Sequence, residues 1–296
     1  MDYLYLLFAV LCIGGQFSLT KLYQIRVGNG LVVSLLYSLF SGIVAAVLLL
    51  FICDFNISIN SFAFLTAAGG IICVVGYTVV GMKMMSIGKV AVYTIFLMLG
   101  GMFVPFLYGV IFLKESVTIW KIIGVILLFI ALFVPALKKD EAKTKNLKLF
   151  IILGIVVFIL NGLVGVFNKM HQISSNAIST FEYGFWQNII STVTLLVMIP
   201  LCAVFNKEKN NIVLSAKIAM LLWWVIILYA LLSQCGGILL LFAAKKIDAS
   251  VMYPIVTGGV MVVTALCGVI FYKEKLDKYV AISLLLSVIS TVLFVL

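Results

Sequence analysis

The chain has 296 residues, 65% of them hydrophobic and 10% charged, with a mean hydropathy of +1.31. So large an apolar share exceeds what a soluble core can hide, which excludes a soluble enzyme or binding domain and indicates an integral membrane protein. The net charge of +10 comes from 20 lysines and arginines set mostly in short connections between apolar runs, so it reads as membrane-surface charge and implies no nucleic acid.

A bilayer core needs about 20 apolar residues per helix. Ten such runs are predicted, near 3–22, 31–52, 62–82, 90–113, 118–137, 148–168, 179–204, 218–243, 249–272 and 278–296. They are long and non-alternating, as helices in lipid are and barrel strands are not, so the fold class is an all-α membrane protein. The first run follows Asp2 in place of a basic stretch and has no clear cleavage site, so it reads as a mature span. The glycine pairs Gly69-Gly70, Gly100-Gly101, Gly236-Gly237 and Gly258-Gly259 fall inside runs, where a missing side chain permits close helix approach. Cys12, Cys53, Cys73, Cys202, Cys235 and Cys267 stand singly, with no CxxC and one histidine, so no metal, cofactor or disulfide framework is expected.

The stretch Gly109-Val-Ile-Phe-Leu-Lys-Glu-Ser116 returns a little over half the chain later as Gly268-Val-Ile-Phe-Tyr-Lys-Glu-Lys275. The same register pairs Gly100 with Gly259, Met102 with Met261 and Leu107 with Leu266, so the echo covers a whole helix and argues for duplication. Gly14 to Gln24 likewise lies opposite Gly162 to Gln172, both ending in Lys-x-x-Gln. The expected organisation is a five-helix unit over 1–139, a charged linker over 140–147 and a second unit over 148–296. An odd number of spans per unit turns the second copy upside down, giving an inverted-topology repeat.

Leu113-Lys-Glu115 followed by Thr118, Lys121 and Gly124, its second copy Tyr272-Lys-Glu274 with Asp277, and Gly15 to Lys21 at the end of the first run resemble the EamA-like ten-helix group of the drug/metabolite transporter superfamily. Ser283 stands where the group's second glycine would fall, Met102 and Met261 where its mid-helix prolines would, and the second run lacks a buried basic residue. The resemblance implies a small-molecule transporter working by alternating access, with spans 2, 4, 7 and 9 lining a central cavity and both termini inside the cell. The charge bias of the connections points the other way, placing both termini outside.

Glu115 and Glu274 lie where the chain leaves the membrane and are expected to fix turns by capping the first residues of the following helix. Glu182 stands among Phe181, Tyr183, Phe185 and Trp186, with Gln187 and Asn188 following. Inside the membrane it would hold an organic cation by charge and cation–π attraction or carry a coupling proton, whereas a later helix start would leave it facing headgroups. Gln16, Tyr37, Tyr77, Tyr93, Asn161, Asn168, Gln234, Tyr253 and Thr257 are polar groups in apolar runs that need a neighbouring helix or a wet cavity. Trp223 and Trp224 suit the membrane interface, and His171 is expected to be solvated in a connection.

The expected function is transport of a small organic metabolite or drug across the cell membrane, with an organic cation or amine favoured and proton coupling open. Lipid bilayer and solute are the expected partners. With no GxxxxGK[ST] motif, nucleotide-driven transport by this chain alone is not expected. The alternative is a membrane-embedded enzyme or flippase acting on a lipid-linked substrate.

Overall fold

The structure is a computed structural model that describes residues 2–27, 31–87, 90–137, 146–205, 222–273 and 278–295. The described residues form ten α-helices: α1 (Asp2–Val27), α2 (Leu31–Ile52), α3 (Ser61–Ile87), α4 (Val90–Phe112), α5 (Ile119–Phe133), α6 (Leu147–Ile173), α7 (Thr180–Phe205), α8 (Trp223–Lys246), α9 (Ala249–Tyr272) and α10 (Lys278–Leu293). Eight are long and apolar enough to cross a membrane, while α5 and α10 are shorter apolar helices. Most of the charged linker lies outside the described residues.

The shortening of α5 has a cause in the sequence. Pro135 offers no amide, so α5 gives way to a 3-10 turn over Val134–Leu137. The carbonyl of Ala131, which a residue four positions on would have bonded, instead accepts the Ser283 hydroxyl from α10 at 2.5 Å. Ser290 does the same to Gly124 at 2.7 Å, and both serines are fully buried. A small side chain at each position keeps the helix crossing tight, and its hydroxyl adds a hydrogen bond.

The two copies of the Lys-Glu stretch end their helices alike. Lys114 and Lys273 sit in the left-handed region at φ 56° and 52°, a position that usually takes glycine and costs a side chain roughly 1 kcal/mol. The carbonyls of Gly109 and Gly268 accept the amides of Glu115 and Lys273 and close the last turn. A methyl group at Gly109 would collide with the Glu115 carboxylate, so the motif needs glycine to let the glutamate fold back under its own helix.

Packing is mostly between the halves of the chain. α1 lies against α8 and α9, and α6 lies against α3 and α4; α2 packs on α7, α5 on α10, and α4 on α9. Exchanging each helix for the one five places away leaves these principal pairings unchanged. Small residues set the approach: Gly100 of α4 meets the backbone of Phe158 in α6, and Gly259 of α9 meets Val10 in α1. Gly236 is pressed against Ile13 and Cys12, whereas Gly237 has nothing within 4 Å, so only the first of that pair serves a contact.

Candidate functional site

α2, α3, α7 and α8 wall a cavity of 320 Å³. Its lining comes from the first half of α2, the later parts of α3 and α7 and the earlier part of α8, which chain direction places toward one end of the bundle. Ser38, Ser41, Tyr77, Thr78, Asn188, Ser191, Tyr229, Ser233 and Gln234 supply polar groups, and Leu35, Val74, Val75, Leu195 and Met198 supply apolar ones. No acidic, basic or histidine side chain is among the described lining residues. Ser41 and Thr78 donate to carbonyls of their own helices, Ser38 at 3.0 Å and Val74 at 2.7 Å, which satisfies their hydroxyl protons. Asn188 and Gln234 form a closed amide pair, Asn188 Nδ2 donating at 3.0 Å and Gln234 Nε2 at 3.2 Å. Asn188 Nδ2 also donates to the Gly184 carbonyl at 2.7 Å.

Resemblance implied that α4 and α9 would join α2 and α7 in the lining. In this cavity α3 and α8 stand beside α2 and α7, while Gly100 and Gly101 of α4 press onto α6, Gly259 of α9 presses onto α1, and α4 packs on α9.

The opposite end is closed by hydrogen bonds within the second half and across to the first. Glu115 accepts the amides of Ala249 and Ser250, each at 2.8 Å, and so caps the N-terminus of α9. That corrects the expected partner: the cap serves a helix of the other half instead of the following helix, whose own cap is the Thr118 hydroxyl. Lys169, buried in α6, donates to the carbonyls of Ala244 at 2.8 Å and Ile247 at 2.7 Å at the end of α8. A carboxylate at a helix start and an ammonium at a helix end both complement the helix dipoles. Lys121 adds a bond to the Ser116 carbonyl at 2.7 Å and lies 3.9 Å from Asp248. Glu274 falls outside the described residues.

Glu182 is at this closed end and away from the cavity lining. It forms a capping box with Ser179: its own amide donates to Ser179 Oγ at 3.3 Å, and its Oε2 accepts the Ser179 amide at 3.1 Å. Its oxygens also accept the Ser58 amide and hydroxyl from the α2–α3 turn. Trp186 Nε1 donates to the Ser58 carbonyl at 2.9 Å, and Asn60 Nδ2 donates to the Asn176 carbonyl at 2.8 Å.

The other polar candidates divide cleanly. Tyr77 and Gln234 line the cavity, and Asn188 beside them does too. Asn161 donates to the Leu97 carbonyl at 2.7 Å and Tyr253 to the Gly165 carbonyl at 2.5 Å, both between helices. Gln187 donates to Asn168 at 2.8 Å, and Tyr183 is fully buried beneath the ring of His171 at 3.7 Å between centroids. His171 is thus no solvated loop residue: α6 runs on through Ile173 and carries the ring into the bundle. Tyr37 stacks between Tyr23 and Tyr229, Tyr93 lies against Gly81, and the Gln16 side-chain oxygen is buried. Ser38, Ser41, Ser191, Tyr229 and Ser233 were missed. The signal available for them was the three-to-four-residue spacing of Ser34, Ser38 and Ser41 on α2, and of Asn188 and Ser191 on α7.

Comparison with known proteins fits this arrangement. The EamA-like transporter family matches residues 148–296. One solved structure, described as a crystal structure of protein, superposes with a TM-score of 0.73 at 11% identity over 99% of this chain and 95% of that one, a likeness of fold alone. Among curated proteins none matches. With half its length matched, and with helices long and apolar enough to cross a membrane, this chain belongs to the EamA-like transporter family of the drug/metabolite transporter superfamily.

Proposed function

We propose that the chain moves a small organic solute across the cell membrane by alternating access, with the solute held in the α2–α3–α7–α8 cavity. The observation that carries this is a polar-lined cavity toward one end of an apolar bundle whose other end is tied shut between the halves by Glu115, Glu182 and Asn60. The packing that is unchanged when the halves are exchanged supports ten crossings as two inverted five-helix repeats, and hence two states of similar energy related by exchange of the halves' conformations. The connections at the cavity end carry most of the lysines and arginines, which supports a cytoplasmic position for that end.

The uncharged lining favours facilitated movement over proton coupling, since no carboxylate or imidazole among the described lining residues is there to take up a proton. The position of Glu182 in a capping box supports its interfacial reading over a cation site.

Proteoliposomes loaded with a mixed metabolite extract test the proposal, with mass spectrometry reading which solutes leave. The expected result is selective loss of one or a few solutes, abolished by Ser191→Trp, which fills the cavity, and preserved in Leu285→Trp on the exposed face of α10. If no solute leaves faster than from loaded liposomes without protein, or if Ser191→Trp transports normally, the cavity is not the route.

A further inference from the structure

We propose that the solute recognised in this cavity is uncharged and presents a hydrogen-bond donor and acceptor side by side, as a carboxamide or a nucleobase edge does, and that Asn188 reads it when Gln234 swings aside. The inference rests on the cavity being the solute site.

Charge is the first constraint. An ion entering the cavity would give up its hydration and meet hydroxyls and amides but no counter-charge among the described lining residues. Neutral dipoles replace water around a polar neutral group far better than around an unpaired ion. A neutral solute therefore enters at little cost, and a charged one of the same shape is rejected.

The amide pair supplies the second constraint. In a closed ring of two N–H···O bonds each amide shows the other a donor and an acceptor on one edge, and here the bonds are 3.0 and 3.2 Å. Such an edge is matched by another amide or by a heterocycle with neighbouring donor and acceptor, the geometry by which asparagine and glutamine also read adenine. The two partners are not equivalent. Asn188 is held by the additional bond to the Gly184 carbonyl, whereas among the described residues the Gln234 side chain bonds to Asn188 alone, and its chain is one methylene longer. Gln234 is thus the member free to turn, and Asn188 the member that stays in register. Exchange of Gln234 for a solute with the same edge leaves the Asn188 amide satisfied throughout, whereas a solute lacking either function leaves it short of a bond.

Tyr77 and Tyr229 line the same space and add aromatic surface to it. A volume of 320 Å³ corresponds to about ten water molecules at the ~30 Å³ each takes in the liquid, which suits one substituted ring.

Three probes of equal shape separate the possibilities: benzamide, benzoate and benzamidinium, which are neutral, anionic and cationic. Thermal melting of the full-length protein in detergent, titrated with each, gives relative affinities, since a ligand bound by the folded state raises the melting temperature with concentration. We expect benzamide to stabilise the wild type and the two ions to do so at least about tenfold more weakly, because losing a bond to a buried amide is worth about that factor. Asn188→Asp replaces a donor by a carboxylate and should reverse the order in favour of benzamidinium. Gln234→Glu tests the same reversal should the first variant not fold.

Stabilisation of the wild type by either ion as strongly as by benzamide overturns the inference, as does stabilisation by none of the three. An unchanged order in both acidic variants overturns the role of the amide pair. Benzamide binding that survives Ser191→Trp places the binding elsewhere and sinks the cavity reading itself. Ion binding as strong as benzamide's that is lost in Ser191→Trp overturns the inference and leaves the cavity reading standing.

Discussion

At Glu115 one carboxylate does what the backbone of α9 cannot do for itself. The first amides of a helix have no partner within it, and in the low dielectric of a bundle an unmet amide is costly. Glu115 accepts two of them, Ala249 and Ser250, from a turn far away in sequence. Glu115→Gln keeps the shape but removes the charge and sets an NH₂ group against one of those amides. The expected cost is about 1–3 kcal/mol, read as a lower melting temperature of the purified protein. Sequence alone marked this glutamate as a cap and mistook which helix it caps, because a turn motif shows its own geometry and not what lies across the bundle. Glu182 was harder still. Ser179-Thr-Phe-Glu182 has the spacing of a capping box, yet the aromatic neighbours drew attention to cation chemistry. The partners that support the capping reading, Ser58 and Ser179, include one on another turn altogether.

Helices were the most legible level, since a run of about 20 apolar residues has few other solutions in lipid. The contacts between them were only half legible. Gly100 and Gly237 look alike in the sequence, each one member of a glycine pair inside a span, but their surroundings differ. A methyl group at Gly100 would overlap the carbonyl oxygen of Phe158, a backbone atom that has to move with its helix. Gly237 faces open space. Gly100→Ala should therefore cost about 3 kcal/mol by forcing α4 off α6, while Gly237→Ala should be neutral or slightly stabilising by helix propensity. Melting temperatures of the two variants side by side check this, and equal losses would contradict the packing described for α4. Serines such as Ser38 and Ser191 were passed over for a related reason. A serine in a membrane helix can bond to its own carbonyls, and its residue type does not tell a cavity wall from a helix contact. Only the packing of four helices separates Ser191, which lines the cavity, from Ser283, which locks α10 to α5.

On the scale of the whole molecule, the principal helix contacts join one half of the chain to the other. α1 reaches across to α8 and α9, and α6 reaches back to α3 and α4. Each half thus leaves its own first helix among the helices of its partner. The caps follow the same rule on one side, since the first half supplies Glu115 to the second. Expressed alone, residues 1–139 or 148–296 should be unstable and degraded. Expressed together as two chains cut within 140–147, they should assemble and co-purify, and recovery of either piece alone as a folded monomer would contradict the interleaving. The same geometry bears on how such a protein is made at the ribosome. The first five helices are made with the places for α6, α8 and α9 still vacant and with the Glu115 carboxylate lacking its helix end. Until the second half arrives, the nascent chain is an open clasp, exposed to any surveillance machinery that recognises polar groups in lipid.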